Sequence, residues 1–430
     1  MAHETTIPAA SARVPAVGAT DAARDRLETA LILLIGAWFL IPRTIQTLSI
    51  AKGDRTAVGA QASYTGLASW AQRGLFYLTI GFCLWIIVLL WRRSPSRRGL
   101  ALIVFLLPWA YLVIRDQYAQ QRPENIWELM PVLAVAIWML RPRIARLQAL
   151  GYVVGVTVVA SLLVGIALPG HGIQRTAGGA LVTVDKQILP WGLLVGIFSD
   201  ANSLGQFIAL GLPAVMLIRA RGWRIVIALC CLFALAWSSS RGSMYAVALA
   251  IVVYLVVSRT RAHSRAFVAF LLVSIAFAAV CILPLITHDP AAFTNRGYIW
   301  LAVQGAWAQN PLFGYGSAWF WVIGSSSASL GPTWFHAHNQ FLQLLVTGGV
   351  VLAVLAGVLI VTAMTGAARL AARGHLVGVS WLAALAGTCV FEVSLVIVDN
   401  SLLFPVVVLP LLFILFTADL DEPAGVDASP

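Results

Sequence analysis

Charge is what this chain has least of. Only 10% of its 430 residues are Asp, Glu, Lys or Arg, against about 25% in an ordinary soluble domain. That shortage excludes a soluble enzyme and leaves a chain that is 60% hydrophobic, with a mean hydropathy of +0.88. Cysteine is equally uninformative: Cys83, Cys230, Cys231, Cys281 and Cys389 all fall inside apolar stretches, with neither disulfide nor metal-ligand spacing, and read as small hydrophobes. Internal repeats, low-complexity segments beyond two polar tails, and nucleotide-binding motifs are all lacking. No cleavable signal peptide is evident, because about 26 polar residues precede the first apolar run. The formal net charge of +11 does not point to nucleic acid, since the basic residues sit in short loops between apolar spans, where they act as an orientation signal.

What is present is apolar length. Runs fit for spanning recur at about 27–48, 74–91, 99–114, 126–140, 148–168, 203–218, 225–240, 242–258, 266–286, 340–363, 377–397 and 403–417, so the fold class is an all-α polytopic membrane protein with about twelve transmembrane helices. Arg13, Arg24 and Arg26, then the clusters 92–98, 141–146, 219–224, 259–265 and 369–373, fall on every second connection and hold 18 of the 28 lysines and arginines. The basic side is cytoplasmic by this rule, which puts both termini inside. The organisation expected is a cytoplasmic tail over 1–26, one transmembrane domain over 27–417, and a cytoplasmic acidic tail over 418–430. The largest external loop covers about 287–339. In it Ile299, Trp300, Val303, Ala306 and Trp307 share one helical face, suited to a helix lying in the membrane interface.

The polar groups that remain gather at the outer ends of spans, where titratable residues are rare unless they act. The densest group is Trp334-Phe335-His336-Ala337-His338-Asn339. A neutral imidazole at His338 can take a proton at physiological pH; His336 is either the actor itself or an orienting neighbour. The pair can also bind zinc, but no third external ligand has suggestive spacing. Only 16 residues lie between Arg224 and Arg241, about 24 Å of helix against about 30 Å of hydrocarbon. The short hairpin places Arg241 below the outer surface, inside the bundle, either as an anion-binding fork or as an arginine snorkelling to headgroups or paired with Asp200 or Asp399. Arg296, beside Asn295, precedes the interfacial helix. Asp200, Asn202 and Ser203 form a helix N-cap or present amides to a sugar or phosphate. Glu392, in an apolar span, either pairs internally or is functional.

These residues, in this order, resemble the O-antigen ligase and polymerase superfamily of bacterial membrane glycosyltransferases. Gly196 to Leu204 is similar to its Gly-x-Phe-x-x-x-Asn-x-Leu segment, and Ser240-Arg241-Gly242 to its Ser-Arg-Gly turn. Arg296-x-x-x-Trp300, with 310–316 (Asn-Pro-Leu-Phe-Gly-Tyr-Gly), resembles its large-loop signature, and His338-Asn339-x-x-Leu342 its closing motif. The resemblance implies a GT-C-like fold in the bacterial cytoplasmic membrane and an inverting, metal-independent transfer without cofactor. The glycan leaves a polyprenyl-diphosphate (undecaprenyl-type) carrier for a hydroxyl of a glycolipid, glycan or protein acceptor outside the cell. It assigns Arg241 and Arg296 to the diphosphate and His338 to the general base; His336, Asn339, Asn202, Asp200 and Trp300 are the substrate-binding candidates read from the residues. A repeat-unit polymerase of the same superfamily and a lipid-linked glycan flippase are the alternatives.

Overall fold

A computed structural model of the chain describes residues 17–49, 64, 66–93, 95–96, 98–119, 126–175, 181, 187–320, 336–395, 397 and 402–420. Trp334, Phe335, Asp399 and both polar ends lie outside them. Among the described residues the architecture is helical, with isolated bridges in place of strands. In order the helices are α1 (Val17–Ser49), α2 (Gly66–Leu90), α3 (Gly99–Tyr118), α4 (Ile126–Leu140), α5 (Gln148–Ala167) and the single turn α6 (Pro169–Gly172). They continue as α7 (Ala201–Val215), α8 (Arg221–Ser238), α9 (Arg241–Arg259), α10 (Ala262–Ile286), α11 (Ala292–Trp307), α12 (Gln340–Ala372), α13 (Val377–Phe391) and α14 (Phe404–Phe416).

Each of the twelve apolar runs coincides with a helix, but the helices are of two kinds. Eight are long and apolar enough to cross a membrane. The other four, α4, α7, α13 and α14, have 13–15 residues, about 20–23 Å at 1.5 Å per residue. Three of the short ones are the centre of the bundle: every residue of α14 is buried, and α7 and α13 are nearly so. Protein rather than lipid encloses them, so their length need not match the hydrocarbon. The first helix also starts at Val17, within the stretch expected as a tail.

The helix ends sort into two groups. At one end Arg98 donates to the Leu415 carbonyl at 3.1 Å, Ile144 N to Asp419 at 2.9 Å and Arg146 pairs with Asp25, so the basic segments share one side. At the other end α3 clamps the loop 310–317. Tyr111 donates to Gly348 O at 2.7 Å, Arg115 to Phe313 O at 2.9 Å, and Asp116 accepts from Ser317 N and Oγ at 2.7 and 2.5 Å.

The expected interfacial helix is α11, but its apolar face turns inward. Trp300 and Val303 are fully buried in a cluster with Trp319, Phe320, Leu342, Leu345 and Val346. The tryptophan face has the α12 N-terminal turns to cover, so Trp300 and Val303 pack on protein.

That clamp rests on one backbone position. Gly349 breaks α12 at φ 67°, ψ −166°, a region essentially limited to glycine, and a Cβ there would lie 2.1 Å from Leu312 O. Gly357, on the same helix, has open space around it. Gly349→Ala is therefore expected to cost at least about 1–3 kcal/mol, whereas Gly357→Ala gains up to about 1 kcal/mol. Thermal melts of the two variants in detergent should move in opposite directions.

Candidate active site

Four segments meet opposite the basic end, and a carboxylate joins them. Asn339 caps α12: its side chain accepts from Leu342 N at 3.0 Å, while its amide donates to Val280 O and Val390 O at 3.0 and 3.1 Å. With all three bonds internal and no exposure, Asn339 braces α12 against α10 and α13; a substrate contact would require breaking them. The residue before it, His338, is held at φ 49°, a left-handed conformation costly for a residue with a side chain. Three neighbours maintain it. Trp300 Nε1 donates to the His338 carbonyl at 3.4 Å, His338 N donates to His336 Nδ1 at 3.0 Å, and Ala337 N donates to Gln343 at 2.9 Å.

Glu392 sits just past the C-terminus of α13, in extended backbone. The next residues are pinned by the Gln340 side chain, which accepts from Ser394 N and Leu395 N at 2.9 and 2.7 Å. The carboxylate is 7% exposed and gathers four partners, two on each oxygen. Oε1 accepts from Arg296 Nη2 at 2.5 Å and Asn202 Nδ2 at 3.2 Å. Oε2 lies 3.1 Å from His338 Nδ1 and 3.6 Å from His336 Nε2. Burial raises the Glu392 pKa, but His338, Arg296 and His336 together outweigh it and hold the carboxyl down at about 2. The glutamate is ionised and satisfied, as a buried charge must be. Burial pulls His336 down to about 3, helped by His338 and Arg296 and opposed by Glu392, so that ring is neutral.

The hydrogen bonds fix the tautomers. An ionised Glu392 requires a proton on His338 Nδ1; in the neutral ring that leaves the lone pair on Nε2. His336 Nδ1 accepts from a backbone N–H, so its proton is on Nε2. His338 is thus set up as an acceptor whose other nitrogen is backed by a carboxylate, the arrangement of a general base with its orienter.

Arg296 follows three consecutive left-handed residues, Phe293, Thr294 and Asn295. Its guanidinium lies 5.7 Å from the Phe391 ring centroid, and its Nε is buried with no hydrogen-bond partner among the described residues. A buried donor left unmatched costs stability, and an anion would satisfy it. The other arginine motif reaches the same aromatic: a Cβ on Gly242 would lie 3.6 Å from the Phe391 Cβ. Arg241 itself corrects the expectation. It is exposed, at the first position of α9, whereas the buried part of the turn is Ser238, Ser239 and Ser240. A left-handed Ser239 at φ 53° makes the turn tight enough for the serines to fill the interior.

Of the remaining candidates, Asn202 joins the cluster, while Asp200 caps α7, accepting from Ser203 N at 2.9 Å and Ser203 Oγ at 2.6 Å. Trp300 is fully buried and supports His338 from beneath. Sequence reading underrated Glu392 and missed Tyr111, Arg115 and Asp116; the charged pair 115–116 ending an apolar run was the available signal. Glu392 is the third group beside the two histidines that could hold a metal ion, which spacing did not reveal. No curated protein matches the chain. Residues 225–357 match the family model described as O-antigen ligase, a stretch that holds Arg241, Arg296, His336 and His338. That match supports the O-antigen ligase superfamily.

Proposed function

We propose that this chain transfers a glycan en bloc from a polyprenyl-diphosphate carrier to an acceptor hydroxyl at the outer face of the bacterial cytoplasmic membrane. The observation that carries the reading is the Glu392 carboxylate, which holds His338 by Nδ1 and Arg296 by Nη2 and so couples a base to a cation. His338 Nε2 takes the acceptor's hydroxyl proton as its oxygen attacks the anomeric carbon. The carbon–oxygen bond to the diphosphate breaks, its electron pair leaves on the diphosphate oxygen, and the configuration inverts. Arg296, with Arg241 and the positive end of the α9 dipole, stabilises the charge developing on that leaving group. No metal enters the step. The basic helix ends lie opposite this cluster, which by the positive-inside rule supports an external site and cytoplasmic termini.

The test is a purified-protein assay with a lipid-linked glycan and a separate acceptor. A single glycosylated product and free polyprenyl diphosphate are expected; a ladder built on the carrier would replace the ligase by a polymerase. Arg296→Lys and Arg241→Lys keep the charge but lose the planar fork. Each is expected to fall by about 10²-fold or more with normal expression. Full activity in Arg241→Ala would remove Arg241 from the donor site.

A further inference from the structure

We propose that His336 Nε2, His338 Nδ1 and Glu392 Oε2 form a binding site for Zn²⁺ or another late first-row dication, and that occupancy switches the base off. The three atoms lie within 4.8 Å of one another, with the carboxylate oxygen 3.1 Å from His338 Nδ1 and 3.6 Å from His336 Nε2. A tetrahedral ion with bonds of about 2.0–2.1 Å spaces its ligands about 3.3–3.4 Å apart; the two distances to the carboxylate bracket that value, and the two histidine nitrogens, within 4.8 Å of each other, draw together on binding. Two imidazoles and one carboxylate leave a fourth position for water and suit zinc, cobalt or nickel rather than magnesium or calcium. The other glutamate oxygen is held by Arg296 and Asn202, the outer-shell bracing that keeps a ligating carboxylate oriented. His336, at 22% exposure the most open of the three, is the side from which an ion enters.

The consequence follows from the tautomers. A metal on Nδ1 of His338 displaces its proton to Nε2, so the ring no longer has a lone pair there to accept a proton. His336 shifts its proton from Nε2 to Nδ1 and gives up the bond it accepts from His338 N. Neither ring loses a proton overall, and no oxidant or reductant is involved. The binding stands on geometry alone, whereas the inhibition rests on His338 being the base of the proposed transfer.

The two parts are read separately in the full-length protein, purified in detergent without a histidine tag. Co²⁺ titration should give the visible absorption bands of a tetrahedral site, saturating at one ion per chain, abolished by Zn²⁺ and missing in His336→Ala. Mg²⁺ should not compete. In the transfer assay, saturating Zn²⁺ should lower the rate by about 10²-fold or more, with full recovery on adding a chelator. Relative to its own metal-free rate, His336→Ala should be insensitive to Zn²⁺. The absence of a tetrahedral Co²⁺ spectrum, or an equal one in His336→Ala, overturns the site whatever the activity. Loss of transfer on chelation would overturn the switch, making the ion a cofactor.

Discussion

Glu392→Gln should leave a protein that inserts normally and transfers about 10²–10⁴-fold more slowly. The substitution keeps size and shape but changes the pattern of donors and acceptors. Four N–H groups converge on the carboxylate; an amide can accept on its oxygen only, and its NH₂ confronts the donors on the other side. His338 then has no reason to keep its proton on Nδ1, and the opposite tautomer has no lone pair on Nε2. Where the same change was made to the acid behind a serine-protease histidine, the wrong tautomer cost about 10⁴ in rate. Glu392→Ala is harsher, because it also leaves the Arg296 charge unpaired in a site where its side chain is only 20% exposed. Breaking such a pair costs about 3–5 kcal/mol, so that variant is expected to melt earlier as well. Glu392→Asp, one methylene short, should fall between wild type and Gln. Wild-type turnover in Glu392→Gln, measured with purified protein and lipid-linked donor, would reduce the carboxylate to a structural ion pair.

Local pattern made most of the fold legible. Apolar runs gave each of the twelve main helices, because a backbone in lipid has helix as its cheapest way to satisfy itself. But α1 and α2 begin about ten and eight residues before their runs, and α12 ends about nine after its own. What pattern could not give was which helices are enclosed by others: α14 reads like any apolar span, yet it is wholly buried. The site divides along the same line. The residues of the Ser-Arg-Gly turn, Arg296, and the His336–Asn339 run are found by sequence because each sits in a short polar break between apolar stretches. Glu392 is 54 residues from His338 with no spacing to connect them, and only packing of α13 along α9 and α10 brings it there. The strained backbone at 293–295 was equally hidden, since Phe and Thr are poor choices for a left-handed turn; the burial of Trp300 between Phe293 and the α12 cluster holds it. Asn339 shows the converse error. It stands beside the base in sequence, and that proximity suggested a substrate contact, while the structure uses its amide to tie three helices together.

The largest loss of activity is expected at His338, and the choice of replacement matters. His338 sits at φ 49°, where alanine is strained but asparagine is readily accommodated. His338→Ala therefore mixes a backbone cost with the loss of the ring, whereas His338→Asn keeps the turn and removes only the group that can take a proton. Both should lower transfer by about 10²–10⁴-fold. If the imidazole acts in the chemical step, donor binding should survive in the Asn variant, because the arginines proposed to hold the diphosphate are untouched; retention of labelled lipid-linked donor measures this directly. His336→Ala should cost less, since its ring supports the His338 backbone without carrying the lone pair that takes the proton. The comparison is decisive because the two rings lie only 4.1 Å apart and share one carboxylate oxygen. Should His336→Ala prove inactive while His338→Asn turns over normally, the roles of the two histidines are exchanged. Weak donor binding in His338→Asn would instead make this residue part of the diphosphate site.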